Sequence, residues 1–522
     1  MAAPLTGYFP LTGDRIVDGM TNGYYWKLDS TKFVDYSISN GFQGQYWFKP
    51  SMVALYMGQA LDTFSAYSDI KFNYVNYFTT PIVASNNGSE INLGLSQTGN
   101  AFDSNNVWAF GVFPNSASSV YYGYAGAPGD IYLNLSSPGA SLPSYEPGSQ
   151  GWFLLIHELL HTLGLKHPHD DGGTGRPTFT QLGLGSLDIN WATVMSYNDG
   201  AEWNNYSWKP ATPMALDVLA LQYLYGKNST WNTTDTGYTL IETNFFYTLW
   251  DAGGIDTLDA STATSGWTIK LPNVALSTLV DTKVGLAAPT NDLSVGTPHT
   301  LVWLTGDYEN IIGSSFADII DGNLFNNTIN AGPGNDTTDG GAGIDTAAYT
   351  SNRSNYTLTK GASSYTVTDK TGSDGTDTLL NVERVKFTDG LLALDIAPGL
   401  NAGQAYRLYQ AAFARTPDMP GVKYHLNDME SNGLPLWQIA SNFLASPEFA
   451  SKYGSNPSDT QYINALYKNV LNRIPGESEV AWYQNQFTTK AMDHQAALIG
   501  FSESPENVAL VGSAIANGIW LG

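Results

Sequence analysis

A chain of 522 residues is longer than one hydrophobic core organises, so two to four domains are expected. Its 47 acids against 23 bases give a formal charge of −24, a field that repels nucleic acid and anionic lipid headgroups and suits cations. There is no cysteine, which excludes disulfides and thiolate metal sites. No window approaches the roughly 18 apolar residues of a transmembrane helix. Met1–Met20 lacks the basic start and apolar run of a Sec-type signal peptide. Residues 396–522 hold 10 acids and 7 bases, leaving 37 against 16 before them, so the negative field belongs to the first three quarters.

Residues 1 to about 25 are rich in Gly, Pro and Thr and read as a loose lead-in. Apolar residues at helical spacing (Val53, Leu55, Tyr56, Ala60, Leu61, Phe64) predict a helix over Met52–Ser68. Ile91–Leu95, Val107–Phe113 and Ile131–Leu135 read as short strands. Trp152–Leu163 is a strongly apolar helix, and Pro213–Tyr225 is another, stopped by Gly226. From Tyr247 to about Asp395 helical periodicity gives way to Gly, Asn, Asp and Thr. There Tyr356–Thr359 and Tyr365–Asp369 alternate like strands around a Lys360–Gly361 turn. From about Asn401 the pattern is helical again. Tyr409, Arg415, Pro417, Phe443, Pro447, Glu448 and Gly454 recur 58 residues later as Tyr467, Arg473, Pro475, Phe501, Pro505, Glu506 and Gly512.

Residues 157–167 read HELLHTLGLKH. On a helix, His157 and His161 share one face about a turn apart, so both imidazoles can meet one ion. Gly164 lets the backbone turn sharply and return His167 to the same point, and Pro168 blocks any further helix. Three imidazoles suit zinc and leave a fourth position for water, which zinc makes acidic near neutral pH. Glu158, beside the first ligand, can move that water's proton. Chance is a poor account, because four of the seven histidines fall within 157–169. His169 reads as a bystander once three ligands are placed, and His299, His425 and His494 as ordinary residues.

This pattern resembles the metzincin metallopeptidases. That family carries a methionine turn beneath the metal, and Val194-Met195-Ser196-Tyr197 fits it. Tyr197 narrows the likeness to the serralysin branch, where it implies an additional zinc ligand or a stabiliser of the transition state. Pro168, Leu216–Gly226 and Trp250–Asp259 also look serralysin-like, over roughly residues 24–395. By the same resemblance Trp108, Ala109 and Phe110 belong to a strand above the cleft that binds an extended peptide through its backbone.

Four nine-residue units begin at 313, 322, 331 and 340: GSSFADIID, GNLFNNTIN, AGPGNDTTD and GGAGIDTAA. The sixth position is Asp318, Asn327, Asp336 and Asp345 in turn, and DAGGIDTLD places Asp256 likewise. These units resemble the RTX repeat, G-G-x-G-x-D-x-U-x, of bacterial type I secreted proteins. Glycines such as Gly332, Gly334, Gly341 and Gly343 permit tight turns that expose carbonyl oxygens, and the acids add charge for calcium. Two to four calcium ions and a short roll of alternately stacked units are expected. The resemblance further implies export by type I secretion machinery, a secreted, extracellular bacterial location and folding once calcium is met.

Residues 401–515 resemble an uncharacterised helical domain at the ends of bacterial secreted RTX and surface-layer proteins. Arg415 and Arg473 read as braces within each copy. This part could take a cell-surface glycan or protein, and so hold the chain at a cell surface.

The expected organisation is multidomain. It comprises a lead-in (1–23), an α+β zinc metallopeptidase domain of metzincin type with a mixed sheet plus helices (24–245), an all-β RTX domain with a parallel β-roll or β-sandwich (246–398) and an all-α domain with a two-fold internal repeat (399–522). The expected activity is hydrolysis of peptide bonds in extracellular proteins. Glu158 and Tyr197 would be catalytic, His157, His161 and His167 would hold zinc, and Gly164 and Met195 would support the site. A proteinaceous inhibitor is a further expected partner. The alternative is a calcium-dependent surface-binding RTX protein with a vestigial protease domain.

Overall fold

The computed structural model describes residues 5–42, 44–96, 107–115, 124, 126–134, 145–198, 209–272, 284–293 and 298–522. By its contacts the chain divides into two compact units, Met1–Asn323 and Leu324–Gly522.

In the first unit a five-stranded sheet runs in the order Lys71–Phe78, Phe33–Ser39, Ile91–Ser96, Asp130–Asn134, Ala109–Gly111. The first four strands are parallel, and Ala109–Gly111 closes the edge antiparallel to Asp130–Asn134. Ile91–Ser96 is almost wholly buried, as a parallel strand covered on both faces should be. The helices Pro50–Tyr67, Gln150–Thr162 and Ala215–Tyr225 share the core with this sheet. The predicted Met52–Ser68 helix thus begins two residues earlier, because Pro50 fits the first turn, where its missing N–H costs nothing. Gly226 ends the third helix at φ +83°, a left-handed conformation suited to glycine. Leu135, the last residue of the predicted Ile131–Leu135 strand, lies outside the described residues.

Residues 5–23 are not loose. Thr6–Tyr8 pairs antiparallel with Tyr24–Trp26, and Arg15–Met20 is a helix capped by Asp14. Its Ile16, Val17 and Met20 are buried, and Arg176 donates to the Phe9 and Pro10 carbonyls. Gly, Pro and Thr content suggested flexibility, but the apolar i, i+1, i+4 set on that single turn decided the outcome by packing. Farther on, strands alternate between two ladders. Gly237–Thr239, Thr257–Asp259 and Asn310–Ile312 form one parallel set, and Phe245–Asp251 pairs parallel with Leu301–Gly306 in the other.

In the second unit the alternation continues. Thr328–Asn330, Thr346–Ala348 and Arg384–Phe387 are parallel neighbours, while Thr337–Gly341 pairs with Thr376–Leu380. The predicted hairpin is present as Tyr356–Lys360 against Tyr365–Asp369. Eight helices follow, and each of the first four begins 58 residues before its counterpart: Asn401–Phe413 and Asp459–Val470, Met419–Glu430 and Glu477–Thr488, Leu436–Leu444 and His494–Ser502, Pro447–Tyr453 and Pro505–Ile515. The chain then returns to the roll. Ile519–Trp520 pairs with Gly390–Ala393, so the helices are inserted between two neighbouring strands of one sheet. Two buried arginines fasten the junction. Arg407 bonds Glu503 and the Ile396 carbonyl, and Arg384 bonds Asp395 and Glu430.

The helical repeat explains its own arginines. Arg415 donates from Nε to Glu448 at 2.7 Å, and Arg473 to Glu506 at 2.8 Å. Each guanidinium also covers the tyrosine six residues before it, at 5.1 Å for Tyr409 and 4.5 Å for Tyr467. Arg473 binds Glu479 as well, where the first copy uses Asp418. Single exposed ion pairs contribute little, but here one cation joins two acids and an aromatic face. Arg473→Ala is therefore expected to lower the thermal midpoint of the full chain's helical transition by a few degrees, followed by circular dichroism at 222 nm.

Candidate metal centre

The helix Gln150–Thr162 is capped by Ser149, whose hydroxyl accepts from the Trp152 N–H at 3.2 Å. Its apolar face (Trp152, Leu155, Ile156, Leu159, Leu160) lies in the core and fixes its rotation. His157, Glu158 and His161 are consequently held nearly rigid and almost buried. The helix stops at Leu163, and Gly164 turns the chain at φ +98° with the Tyr24 carbonyl where a Cβ would sit. The turn is tied to the N-terminal segment. Asn22 N–H donates to the Gly164 carbonyl at 3.0 Å and Lys166 N–H to the Met20 carbonyl at 2.8 Å. Buried Lys166 directs its ammonium to the His167 and Asp170 carbonyls, and His167 comes back over the helix.

Each imidazole is oriented through Nδ1. His157 donates to the Val194 carbonyl at 2.9 Å and His161 to the Leu165 carbonyl at 2.8 Å, since a carbonyl can only accept. His167 Nδ1 lies 2.5 Å from the Asp170 carboxylate. Three Nε2 lone pairs are thereby aimed at one point, with His167 Nε2 3.2 Å from that of His157 and 3.0 Å from that of His161. Ligands about 2.05 Å from a tetrahedral zinc stand roughly 3.3 Å apart, so the donor set fits this ion. Burial and the neighbouring imidazoles push His157 down to about 3 and His161 well below its ordinary value, which keeps both neutral as ligands must be. Glu158 Oε2 is buried with no hydrogen-bond partner, a position that asks for a ligand or solvent group. Burial pushes this carboxyl up to about 8, against the opposing hydrogen bond from the Gly111 N–H.

Met195 is fully buried, in a turn organised by Asp217. That carboxylate accepts from Thr193 Oγ1 at 2.6 Å, Val194 N–H at 2.8 Å and Met214 N–H at 2.9 Å. It therefore fixes the carbonyl that orients His157. Tyr197 is exposed, with its ring 4.5 Å from that of His167 and 5.6 Å from that of His157. His169 stacks on His167 at 5.1 Å and its Nδ1 lies 3.5 Å from Asp188. His167, His169 and Asp170 also bring donor atoms close together, but Asp170 is engaged with His167 Nδ1.

Ala109 and Phe110 lie on the edge strand, and Trp108 directly before it is partly exposed. Phe110 stacks on Tyr132 at 5.0 Å. The strand rests on the site helix at Gly111, where a Cβ would meet the Glu158 carbonyl and stand 3.0 Å from His161 Cβ. Gly111, Asp170 and Asp217 were missed in the sequence. Only Asp170 left a signal there, as an acid three residues after a ligand. Such carboxylate–histidine contacts fix tautomer and orientation. Asp170→Ala is expected to weaken zinc affinity about 10- to 100-fold, read by competition with a zinc chelator.

Among the predicted calcium residues, Asp256 and Asp345 are fully buried, and each leaves Oδ2 without a hydrogen-bond partner. These orphaned oxygens fit a hard cation. Asn327 donates its N–H to Asp345 Oδ1 at 2.7 Å, joining two alternate units. Asp336 donates its N–H to Asp377 Oδ1 at 3.1 Å. Asp318 is held by Trp267 N–H at 2.5 Å and by Ser314 through N–H and hydroxyl. Gly332, Gly341 and Gly343 all have positive φ, and Gly334 bridges to Gly375.

A mixed α/β sheet carrying a three-histidine centre, followed by parallel strands with acidic glycine turns, defines a metal-dependent protein with calcium repeats. Comparison with known proteins gives the same class. Residues 312–347 match the RTX calcium-binding nonapeptide repeat, and residues 440–511 match a domain of unknown function, DUF4214. The chain is 29% identical to a serralysin of Proteus mirabilis over 282 residues, 51% of this chain and 52% of the relative. It is 30% identical to serralysin G of Dickeya chrysanthemi over 249 residues, 45% and 46% of the two chains. Metalloprotease AprA of Pseudomonas entomophila is 27% identical over 324 residues, 57% and 62% of the two chains. The chain thus spans about half the length of the relatives it matches. Zinc at the histidine triad and calcium in the repeats are the cofactors this similarity and these donor sets support. Among the described residues no helix is long and apolar enough to cross a membrane.

Proposed function

We propose that the chain is a secreted zinc endopeptidase whose fold depends on calcium. The observation that carries this reading is the convergence of three Nε2 atoms beside a buried, unpartnered Glu158 oxygen. Zinc, when bound, supplies a Lewis acid that brings a water molecule's pKa to about 7. Glu158 takes the proton of the attacking water at Oε2 and returns it to the leaving amine. The exposed Tyr197 hydroxyl serves the developing oxyanion as a donor. The edge strand Ala109–Gly111 receives an extended peptide by backbone hydrogen bonds, with Trp108, Ala109 and Phe110 lining its path. Recognition of backbone implies broad specificity and protein substrates.

In this reading residues 24–245 form the peptidase domain, 246–398 the RTX domain and 399–522 the helical domain. Type I machinery exports the chain, and calcium met outside the cell folds it. Purified full-length protein supplied with zinc and calcium is expected to cleave casein, and EDTA to stop it. Intact casein after overnight incubation with the zinc-loaded protein would sink the proposal.

A further inference from the structure

We propose that the calcium roll does not end with its fourth consecutive repeat, and that Glu383 completes an additional calcium site with Asp345 and the Asn381 carbonyl. This rests on the calcium reading of the repeats and extends it to residues beyond 312–347. The chain leaves the roll after Thr346–Ala348, forms the hairpin Tyr356–Asp369, and returns. Residues 372–380, GSDGTDTLL, then repeat the glycine, aspartate and apolar spacing of the earlier units. They stack on residues 331–339 in parallel register, with Thr338 opposite Leu379 and Gly334 bridged to Gly375. The next strand, Arg384–Phe387, stacks on Thr346–Ala348. Glu383 precedes it at the place where a repeat carries its acid.

The local geometry matches a repeat junction. Asp345 N–H donates to Glu383 Oε2 at 2.9 Å, as Asn327 N–H donates to Asp345 Oδ1 at 2.7 Å. Arg384 N–H returns a bond to the Asp345 carbonyl at 2.9 Å. Two observations point to an ion rather than to a mere acidic turn. Asp345 is fully buried, and its Oδ2 has no partner. Gly340, lacking a side chain, lets its backbone approach that oxygen and the Asn381 carbonyl closely. A Cβ there would stand 2.7 Å from Oδ2 and collide with the carbonyl. Asn381 presents its carbonyl from a left-handed conformation, φ +47°, unusual outside glycine. Its side chain donates to Asp339 Oδ1 at 2.8 Å, which holds that conformation. The neighbouring cation, Arg384, is spent on Asp395 and Glu430. Two carboxylates and a carbonyl drawn together are oxygen ligands of the kind calcium takes.

Glu383→Gln tests this in the full chain, with calcium alone as the probe. The amide oxygen can still accept from Asp345 N–H, so only the charge is lost. Equilibrium dialysis with calcium analysis is expected to show one calcium fewer per chain, or one site weakened at least about tenfold. Unchanged stoichiometry and affinity would overturn the proposal. If Glu383→Gln does not fold, it is compared with Glu383→Asp at 10 mM calcium. Refolding of the aspartate variant alone supports the site, and equal behaviour of the two overturns it. A parent chain that binds no calcium would instead refute the reading of the repeats as a whole.

Discussion

Glu158→Gln is expected to fold, to keep its zinc and to cleave casein roughly 100- to 10,000-fold more slowly than the parent chain. Glutamine preserves volume and can still accept from the Gly111 N–H, so the edge strand keeps its seat on the helix. The change removes only the group that accepts and returns a proton. Because burial pushes Glu158 up to about 8, the neutral form is the one the site favours at neutral pH without zinc. Replacing it by a neutral amide should therefore leave the thermal midpoint of zinc-free protein unchanged or raised. Bound zinc measured by metal analysis separates lost chemistry from lost metal. A variant with full zinc and more than a tenth of the parent rate would remove Glu158 from the mechanism.

The metal ligands were legible because their spacing is dictated by helix geometry and by one glycine turn. Few structures other than a shared ion need imidazoles at 157, 161 and 167 with Gly164 between them. The residues that aim those imidazoles were not legible. Asp217 lies on a different helix, and Val194 contributes only a carbonyl, so tertiary packing alone brings them to the site. Gly111 looked like an ordinary strand residue, since the close approach of strand to helix has no periodic signature. The N-terminal segment was misread for the opposite reason. Its Gly, Pro and Thr content outweighed a short signal, Asp14 as a cap before Ile16, Val17 and Met20. The helical repeat was legible from identities at a fixed offset, and its four helix pairs hold that offset at every start. The nine-residue pattern was followed only while its phase was unbroken. The hairpin Tyr356–Asp369 breaks the phase, so residues 372–380 stand outside the unbroken run of units although they rejoin the roll.

Withdrawal of calcium with zinc kept in place is expected to unfold the roll. The strands of the repeats have only three to five residues, and the turns between them bury acids. Burial pushes both Asp256 and Asp345 up to about 7, and neighbouring acids push in the same direction. Short strands cannot offset buried carboxylates that repel one another, so the turns need a cation. A site held at 100 times its dissociation constant contributes roughly 2.7 kcal/mol. Two or three such sites match the whole stability margin of an ordinary domain, about 5–15 kcal/mol. The consequences reach the C-terminus, because Ile519–Trp520 is a strand of the sheet that carries the Asp345 turn. Calcium-free protein should lose its β signal in far-ultraviolet circular dichroism and be nicked by trypsin between residues 246 and 398. Its thermal midpoint should rise with the logarithm of added calcium. Identical spectra and midpoints with and without calcium would show that hydrogen bonds and packing alone hold these turns.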